Sequence, residues 1–254
     1  MDIVKMYKSG MTMEEIAKQV GVSRRTIGNR LNKLGVETRK TSSKWKINEN
    51  YFEVIDTEEK AYWLGFIYAD GYINNNGRYA LEIGLNKADR GHLEKFLKAI
   101  ESTHPIEERK TTSSVRVNIS NKKLVQDLGR HGVHPNKSGS TIFPIHLEEE
   151  LVRHFMRGYF DGDGTLSVKP EKKRYRAIII GTPNFLHDFQ QHLPVNITRL
   201  MRDKRWKGNT AYIEKSGINT CYKVTHFLYD KATIYLDRKY EEYCKLIAVL
   251  RGNS

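Results

Sequence analysis

Two aspartates stand at matching places in two short stretches that resemble each other. Residues 63–71 read WLGFIYADG and residues 156–164 read MRGYFDGDG, which puts Asp70 and Asp163 93 positions apart. Each stretch runs apolar residues into an acid and a glycine, which predicts a helix with the acid in its last turn. A carboxylate there lies at the negative end of the helix macrodipole, so a compensating cation is expected. A hard divalent ion such as Mg²⁺ or Mn²⁺, held between the two acids, is the expected cation.

Small residues in the two stretches predict how the helices meet. They stand four positions apart in each stretch, so each pair shares one helix face, where small side chains let two backbones approach closely. These predicted interface residues are Gly65, Ala69, Gly158 and Gly162. Close packing through them would bring Asp70 and Asp163 to one site. Gly71 and Gly164 are expected to end the two helices in the left-handed conformation.

Other metal sites fit the sequence less well. Asp161 and Asp163 match the start of a calcium-binding loop, but Leu166 stands where that loop needs glycine and no glutamate follows at its twelfth position. The two cysteines, Cys221 and Cys244, lack the spacing of zinc ligands, and the nine histidines show no ligand spacing.

The two stretches resemble the paired motifs of the LAGLIDADG homing endonucleases, and the resemblance extends over about Glu58 to Leu250. It implies an α+β fold of two pseudo-symmetric αββαββα halves, about 58–150 and 151–254, with the motif helices at their interface. It implies that Asp70 and Asp163 bind the metal and that a monomer cuts both strands of a long asymmetric DNA target. At Tyr68, where the family often has an acid, the first motif departs from the pattern.

The resemblance also implies basic residues late in each half. Lys122 and Lys215 each follow a motif aspartate by 52 residues, which makes them candidate catalytic lysines; Asn118 is an alternative in the first half. The same fold could also serve a DNA-binding regulator that has lost cleavage, or an intron maturase. Both acids are present, which favours the nuclease.

The amino-terminal 36 residues predict a separate small all-α domain. The run TMEEIAKQVGVSRRTIGNRL has helix caps at Thr12 and Ser23 and a turn at Gly21, and it resembles a helix-turn-helix with residues 24–33 as recognition helix. The side chains expected to face DNA are Arg24, Arg25, Asn29 and Asn32. A helical bundle with a solvated basic face is the alternative.

Residues 37–57 are expected to form a basic linker before an endonuclease domain at 58–254. Residues 1–48 contain 11 basic and 4 acidic residues, so this fifth of the chain carries +7 of the net charge of +13. Arg39, Lys40 and Lys44 could follow phosphates or enter a minor groove. A solvated tether is the alternative.

Alternating stretches in both halves predict hairpins, over residues 72–85 and 106–119 and again over residues 165–180 and 197–215. By the resemblance, these strands would face the DNA. The strand arginines expected to bind it are Arg78, Arg109, Arg116, Arg174, Arg176, Arg199, Arg202 and Arg205. The excess of basic residues agrees with a polyanionic partner.

The composition bounds the cellular context. Neither a signal-peptide core nor an apolar run of membrane-spanning length is present, and two cysteines in 254 residues indicate no disulfide framework. We therefore expect a protein of a reducing, cytoplasmic compartment with no membrane partner.

Overall fold

The computed structural model describes residues 2–38, 45–74, 79–109, 112–137, 139–204 and 208–252. The chain divides into two compact units, Met1–Lys44 and Trp45–Ser254. Of the helices in the described part of the chain, none combines the length and apolar character that a membrane span requires.

The first unit consists of three short helices with well-defined caps. They are α1 (Ile3–Lys8), α2 (Met13–Val20) and α3 (Arg24–Lys33). Thr12 and Glu15 form a capping box at the start of α2, and Ser23 caps α3. Gly21 has a φ of 73°, which lets the chain turn sharply between the two helices. Ile16, Ala17, Ile27 and Leu31 bury the faces that meet, together with Ile3 and Tyr7 of α1.

The second unit repeats one order of elements. The first half contains α4 (Glu58–Asp70), β1 (Gly71–Asn74), β2 (Ala80–Asn86), α5 (Arg90–Ala99), β3 (Glu107–Glu108), β4 (Ser114–Ser120) and α6 (Lys122–Arg130). The second half contains α7 (Glu149–Asp163), β5 (Gly164–Lys169), β6 (Arg174–Gly181), α8 (Pro183–Gln191), β7 (Ala211–Ser216), α9 (Ile218–Tyr229) and α10 (Asp237–Leu250). The predicted α+β class with two related halves is confirmed.

Each half forms one antiparallel sheet. The strand orders are β1-β2-β4-β3 and β5-β6-β7. The fourth strand expected in the second half is reduced to a single bridge between Met201 and Tyr212 in the described part of residues 197–206. Burial alternates along the strands, so one face of each sheet packs on the helices and the other does not.

Helix α4 is buried on nearly every side because it lies within the core. All residues from Ala61 to Tyr68 are buried, and the apolar residues are not confined to one stripe. The facing helix α7 is buried from Phe155 to Asp161. The two helices therefore form the centre of the second unit.

Residues 45–57 belong to the second unit and were wrongly expected to be linker. Tyr51, Phe52 and Ile55 are buried in its core. The backbone N–H of Lys46 donates to Thr103 Oγ1 at 2.8 Å, and Lys46 accepts the Thr103 N–H. Burial of two aromatic rings and an isoleucine offsets the conformational entropy that this segment loses on folding. Its mostly basic and polar composition gave no sign of this burial.

Candidate active site

The two motif helices contact each other through their backbones. A Cβ added at Gly65 would lie 2.0 Å from the carbonyl oxygen of Phe155, and one at Gly158 would lie 1.9 Å from that of Tyr62. Any side chain larger than hydrogen would separate the helices. Glycine at these two positions is therefore required by the close approach.

The same contact continues to the ends of both helices. A Cβ at Gly162 would lie 2.3 Å from Ala69 Cβ and 3.3 Å from Asp70 Oδ2. Asp70 ends α4 and Asp163 ends α7. The structure thus brings the two carboxylates, one from each half, to adjoining positions at one end of the packed pair.

Both aspartates are half-buried, and this perturbs their protonation. Burial, followed by the nearby charge of Asp163, raises the pKa of Asp70 to about 6. Burial also raises the pKa of Asp163, against the opposing effect of Lys137 and Lys239. Burial, followed by the charges of Asp163 and Asp70, also raises the pKa of the Tyr159 hydroxyl, which donates to the carbonyl oxygen of Ile180 at 2.9 Å.

Gly71 and Gly164 follow the acids in extended, not left-handed, conformation, which corrects the expected helix caps. Their φ values are −78° and −95°, and each begins a strand. A Cβ at Gly71 would lie 2.6 Å from the Ile67 carbonyl oxygen, and one at Gly164 would lie 2.4 Å from that of Phe160. Lack of space, and not backbone dihedral freedom, requires glycine after each acid.

The carbonyls at the two helix ends are bound by lysines that were missed in the sequence. Lys137 Nζ donates to Ala69 O at 3.0 Å. Lys239 Nζ donates to the carbonyl oxygens of Phe160, Asp161 and Gly164, the last two at 2.7 and 2.6 Å. These ammonium groups supply the positive charge that the negative end of each macrodipole favours.

The two lysines carry altered pKa values for the same structural reason. Burial lowers the pKa of Lys239 to about 8, although Asp161 opposes this shift. Burial also lowers the pKa of Lys137, against the charges of Asp163 and Asp70. Because lysines already compensate the helix ends, the case for a metal rests on the facing carboxylates and not on the macrodipole.

Lys215, a candidate catalytic residue in the sequence, lies on the core side of β7. Its ammonium donates to Gln190 Oε1 at 2.9 Å and to the carbonyl oxygen of Asn196 at 2.7 Å. Burial lowers its pKa. Its role here is to join β7 to the segment that follows α8.

Lys122 lies beyond the far end of β4. Its ammonium stands 5.5 Å from the centre of the Tyr79 ring. Ser120, the last residue of β4, pairs with Ala80 of β2, whereas Gly71, the residue after Asp70, pairs with Ile83, three positions further along the same strand. At ~3.4 Å per residue this is ~10 Å from the row beside Asp70. Equal spacing from the two acids therefore selects two lysines whose described contacts lie away from the paired aspartates.

Asp161 is a structural residue of the second motif. It is fully buried and accepts hydrogen bonds from the hydroxyls of Tyr62 and Tyr229, at 2.7 and 2.6 Å, and from the Leu236 N–H at 2.8 Å. It lies within α7, which agrees with the rejection of a calcium loop. Tyr68, at the corresponding place in the first motif, donates to the carbonyl oxygen of His131.

The donor set at the paired aspartates fits a cation that retains exchangeable ligands. Within the ranges that the structure describes, no group of three or more His, Cys, Asp and Glu side chains is arranged to hold a metal ion. Two half-buried carboxylates from different helices remain. Mg²⁺ is commonly held by one or two carboxylates, with water and substrate phosphates as its other ligands.

The outer faces of the sheets carry arginines paired with acids. Arg109 and Arg116 both contact Glu82, at 3.0 and 3.6 Å, and Arg116 also contacts Glu107. Arg176 forms a bidentate pair with Glu214. The remaining described strand-side arginines, Arg174, Arg199 and Arg202, are exposed.

In the first unit, the four side chains predicted to face DNA lie together. Arg24, Arg25, Asn29 and Asn32 are exposed and line one surface depression with Gly28. Arg24 also makes a solvent-exposed ion pair with Glu14 at 3.4 Å. The other residues predicted to bind DNA lie outside the described ranges. They are Arg39, Lys40, Lys44, Arg78 and Arg205.

Solved structures with this architecture are known. I-SmaMI, a meganuclease bound to uncleaveable DNA, is 14% identical, with a TM-score of 0.54 over 76% of this chain and 91% of that one. I-LtrWI, a LAGLIDADG homing endonuclease bound to target DNA, is 12% identical, with a TM-score of 0.53 over 80% and 92%. The second unit has the LAGLIDADG homing endonuclease fold.

A third neighbour, the LAGLIDADG meganuclease I-AabMI bound to uncleaved DNA, is 14% identical, with a TM-score of 0.51 over 75% of this chain and 91% of that one. I-SmaMI is also known bound to uncleaved DNA in the presence of calcium ions. The family model for the helix-turn-helix domain of resolvase matches residues 2–28. No curated protein sequence matches the chain.

Proposed function

We propose that this chain is a site-specific DNA endonuclease that makes a double-strand break. The observation that carries the proposal is the juxtaposition of Asp70 and Asp163 at the ends of two helices in backbone contact. Each acid comes from one half of a pseudo-symmetric unit, which suits a reaction performed once on each strand. The fold shared with DNA-bound nucleases supports the same assignment.

Asp70 and Asp163 together hold divalent cations, with Mg²⁺ as the expected ion and Mn²⁺ as a substitute. Bound there, such a cation supplies a polarised water and neutralises charge on phosphate oxygens. The carboxylates perform this role in their ionised form. The pKa of about 6 for Asp70 keeps it largely ionised near neutral pH.

Lys137 and Lys239 position the acids in this proposal. By donating to carbonyls at the ends of α4 and α7, they fix the direction in which each last turn presents its carboxylate. Their charge also lowers the cost of bringing two carboxylates and a phosphate together. They replace Lys122 and Lys215 as the lysines of the site.

The duplex lies along the outer faces of both sheets. The net charge of +13 favours a polyanion, and the exposed Arg174, Arg199 and Arg202 are suited to phosphates. In the first unit, α3 reads additional base pairs in a major groove through its exposed Arg and Asn side chains. A single chain with two unlike halves and this extra unit recognises a long asymmetric target as a monomer.

Incubation of the full chain with a library of random duplexes and Mg²⁺, followed by sequencing of cut ends, tests the proposal. We expect one recurrent asymmetric site, cut on both strands, and no cutting in the presence of EDTA. Enrichment of one bound sequence without cutting would favour the DNA-binding regulator instead. Preferential binding of structured RNA would favour the maturase.

A further inference from the structure

The pairing of the strands allows the outer faces of the two sheets to be compared position by position. The glycine after each motif acid pairs with a core isoleucine, Gly71 with Ile83 and Gly164 with Ile179. The residues on either side of these isoleucines point to the outer face, because successive strand residues alternate between faces. Position by position, Ile178 of β6 therefore corresponds to Glu82 of β2.

The corresponding positions carry different chemistry. Two residues further along the strands, Ile180 corresponds to Gly84. In its row Ile180 pairs with Tyr212, which in turn bridges to Met201. The matching row of the first sheet contains Arg116 and Glu107. Ile178 itself pairs with Glu214, whose carboxylate is bound by Arg176. The outer face of the second sheet therefore carries two isoleucines beside this ion pair, whereas the corresponding positions of the first sheet carry Glu82 and Gly84.

These apolar side chains do not serve the core. Ile178, Ile180 and Met201 are half-buried, and none belongs to the core cluster or to the hydrophobic residues that pack against it. Their strand neighbours Ala177 and Ile179 are fully buried on the other face. Half-buried isoleucines on an outer sheet face, outside the core cluster, leave part of their apolar surface available to a ligand.

The surroundings of this patch select DNA as its occupant. Lys169 and Arg174 are exposed at the end of the β5–β6 hairpin, and Arg202 is exposed beside Met201. Cations at the edges of an apolar centre match the major groove, where phosphates flank the base edges. The only apolar group on a major-groove base edge of unmodified DNA is the methyl group of thymine.

We propose that Ile178 and Ile180 recognise thymine methyl groups in the half of the target that lies on the second sheet. The inference rests on the proposed function and adds the base chemistry of one half-site. Glu82 and Gly84, at the corresponding positions, offer no such contact in the other half. The target is therefore asymmetric in its methyl dependence as well as in its sequence.

Uracil substitution in the selected target tests this inference, because it removes only the methyl group and leaves base pairing intact. Thymines are replaced in one half at a time, and binding by the full chain is measured. We expect uracil to weaken binding by about fourfold per contacted methyl group in one half only. In the Ile178→Ala/Ile180→Ala variant this penalty should disappear, whereas Val54→Ala, an exposed apolar residue off the sheets, should retain it.

The outcomes separate this inference from the proposed function. Equal uracil penalties in both halves, no penalty in either half, or an undiminished penalty in the double isoleucine variant would each overturn the inference. A protein that still cuts its site under those results retains the nuclease assignment. Failure to select or cut any duplex contradicts the proposed function itself. Melting temperatures near that of the wild type confirm that the variants are folded.

Discussion

Gly158→Ala adds a single methyl group and should disable the proposed site without touching an acid. The added Cβ would lie 1.9 Å from the Tyr62 carbonyl oxygen, whereas ordinary contacts begin at 3.4 Å, so α4 and α7 must separate locally by about 1.5 Å. Overpacking of this kind costs ~1–3 kcal/mol. For a unit of this size, that corresponds to a fall in melting temperature of ~2–12 °C.

The loss of cleavage should exceed what this destabilisation explains. Misplacement of reacting groups by ~1 Å can cost ~100-fold in rate. Single-turnover cleavage at saturating protein and Mg²⁺ isolates the chemical step, and we expect a fall of at least this size for the bound, folded variant. Gly91→Ala, in α5 with nothing within 4 Å of the added Cβ, is the matched control and should cut at the wild-type rate. Wild-type cutting by bound Gly158→Ala would refute the argument that close helix packing positions the acids.

Three further predictions follow from the site and the charge distribution. Because the pKa of Asp70 is raised to about 6, the unfolding free energy of the metal-free protein should fall as pH rises from about 4 to 6. Denaturation measured across this pH range should show a smaller fall for Asp70→Asn, and an unchanged profile would argue against a buried, charge-coupled Asp70. Lys239→Met should lower single-turnover cleavage more than DNA affinity, since its ammonium binds carbonyls at the end of α7; a loss of affinity alone would make it a phosphate contact. Deletion of residues 1–44 should leave a folded nuclease that binds DNA more weakly. The slope of log affinity against log salt concentration should become shallower by ~0.9 for each lost phosphate contact, and an unchanged slope would show that these residues do not bind phosphates.

The sequence was sufficient to predict the motif helices and their contact. The apolar runs that end at Asp70 and Asp163 are long enough to identify α4 and α7, and the small residues four apart identify the faces that meet. Local spacing carries this information because helix geometry repeats regularly. Gly71 and Gly164 do end the two helices, as expected, but not because they adopt a left-handed conformation. A side chain at either position would clash with the preceding helical turn, and the sequence alone does not show this contact.

The lysines could not be predicted in the same way. Lys137 follows Asp70 by 67 residues and Lys239 follows Asp163 by 76, so no common spacing from the acids identifies them. A search for equal spacing finds Lys122 and Lys215, which the fold directs elsewhere. Residues 45–57 were assigned to the linker because most of them are charged or polar, whereas only three of them, Tyr51, Phe52 and Ile55, are buried in the core.

The most direct test of the account compares Asp70→Asn and Asp163→Asn with the wild type on the selected target. Double-strand cleavage in Mg²⁺ and DNA affinity are measured separately, with Asp56→Asn, an exposed acid paired with Lys60, as the control. We expect either site variant to bind with nearly normal affinity and to lose about 100- to 1,000-fold in double-strand cleavage, the range for loss of one charge-stabilising group. Near-normal double-strand cutting by either variant in Mg²⁺ would contradict the assignment of the paired aspartates as the active site.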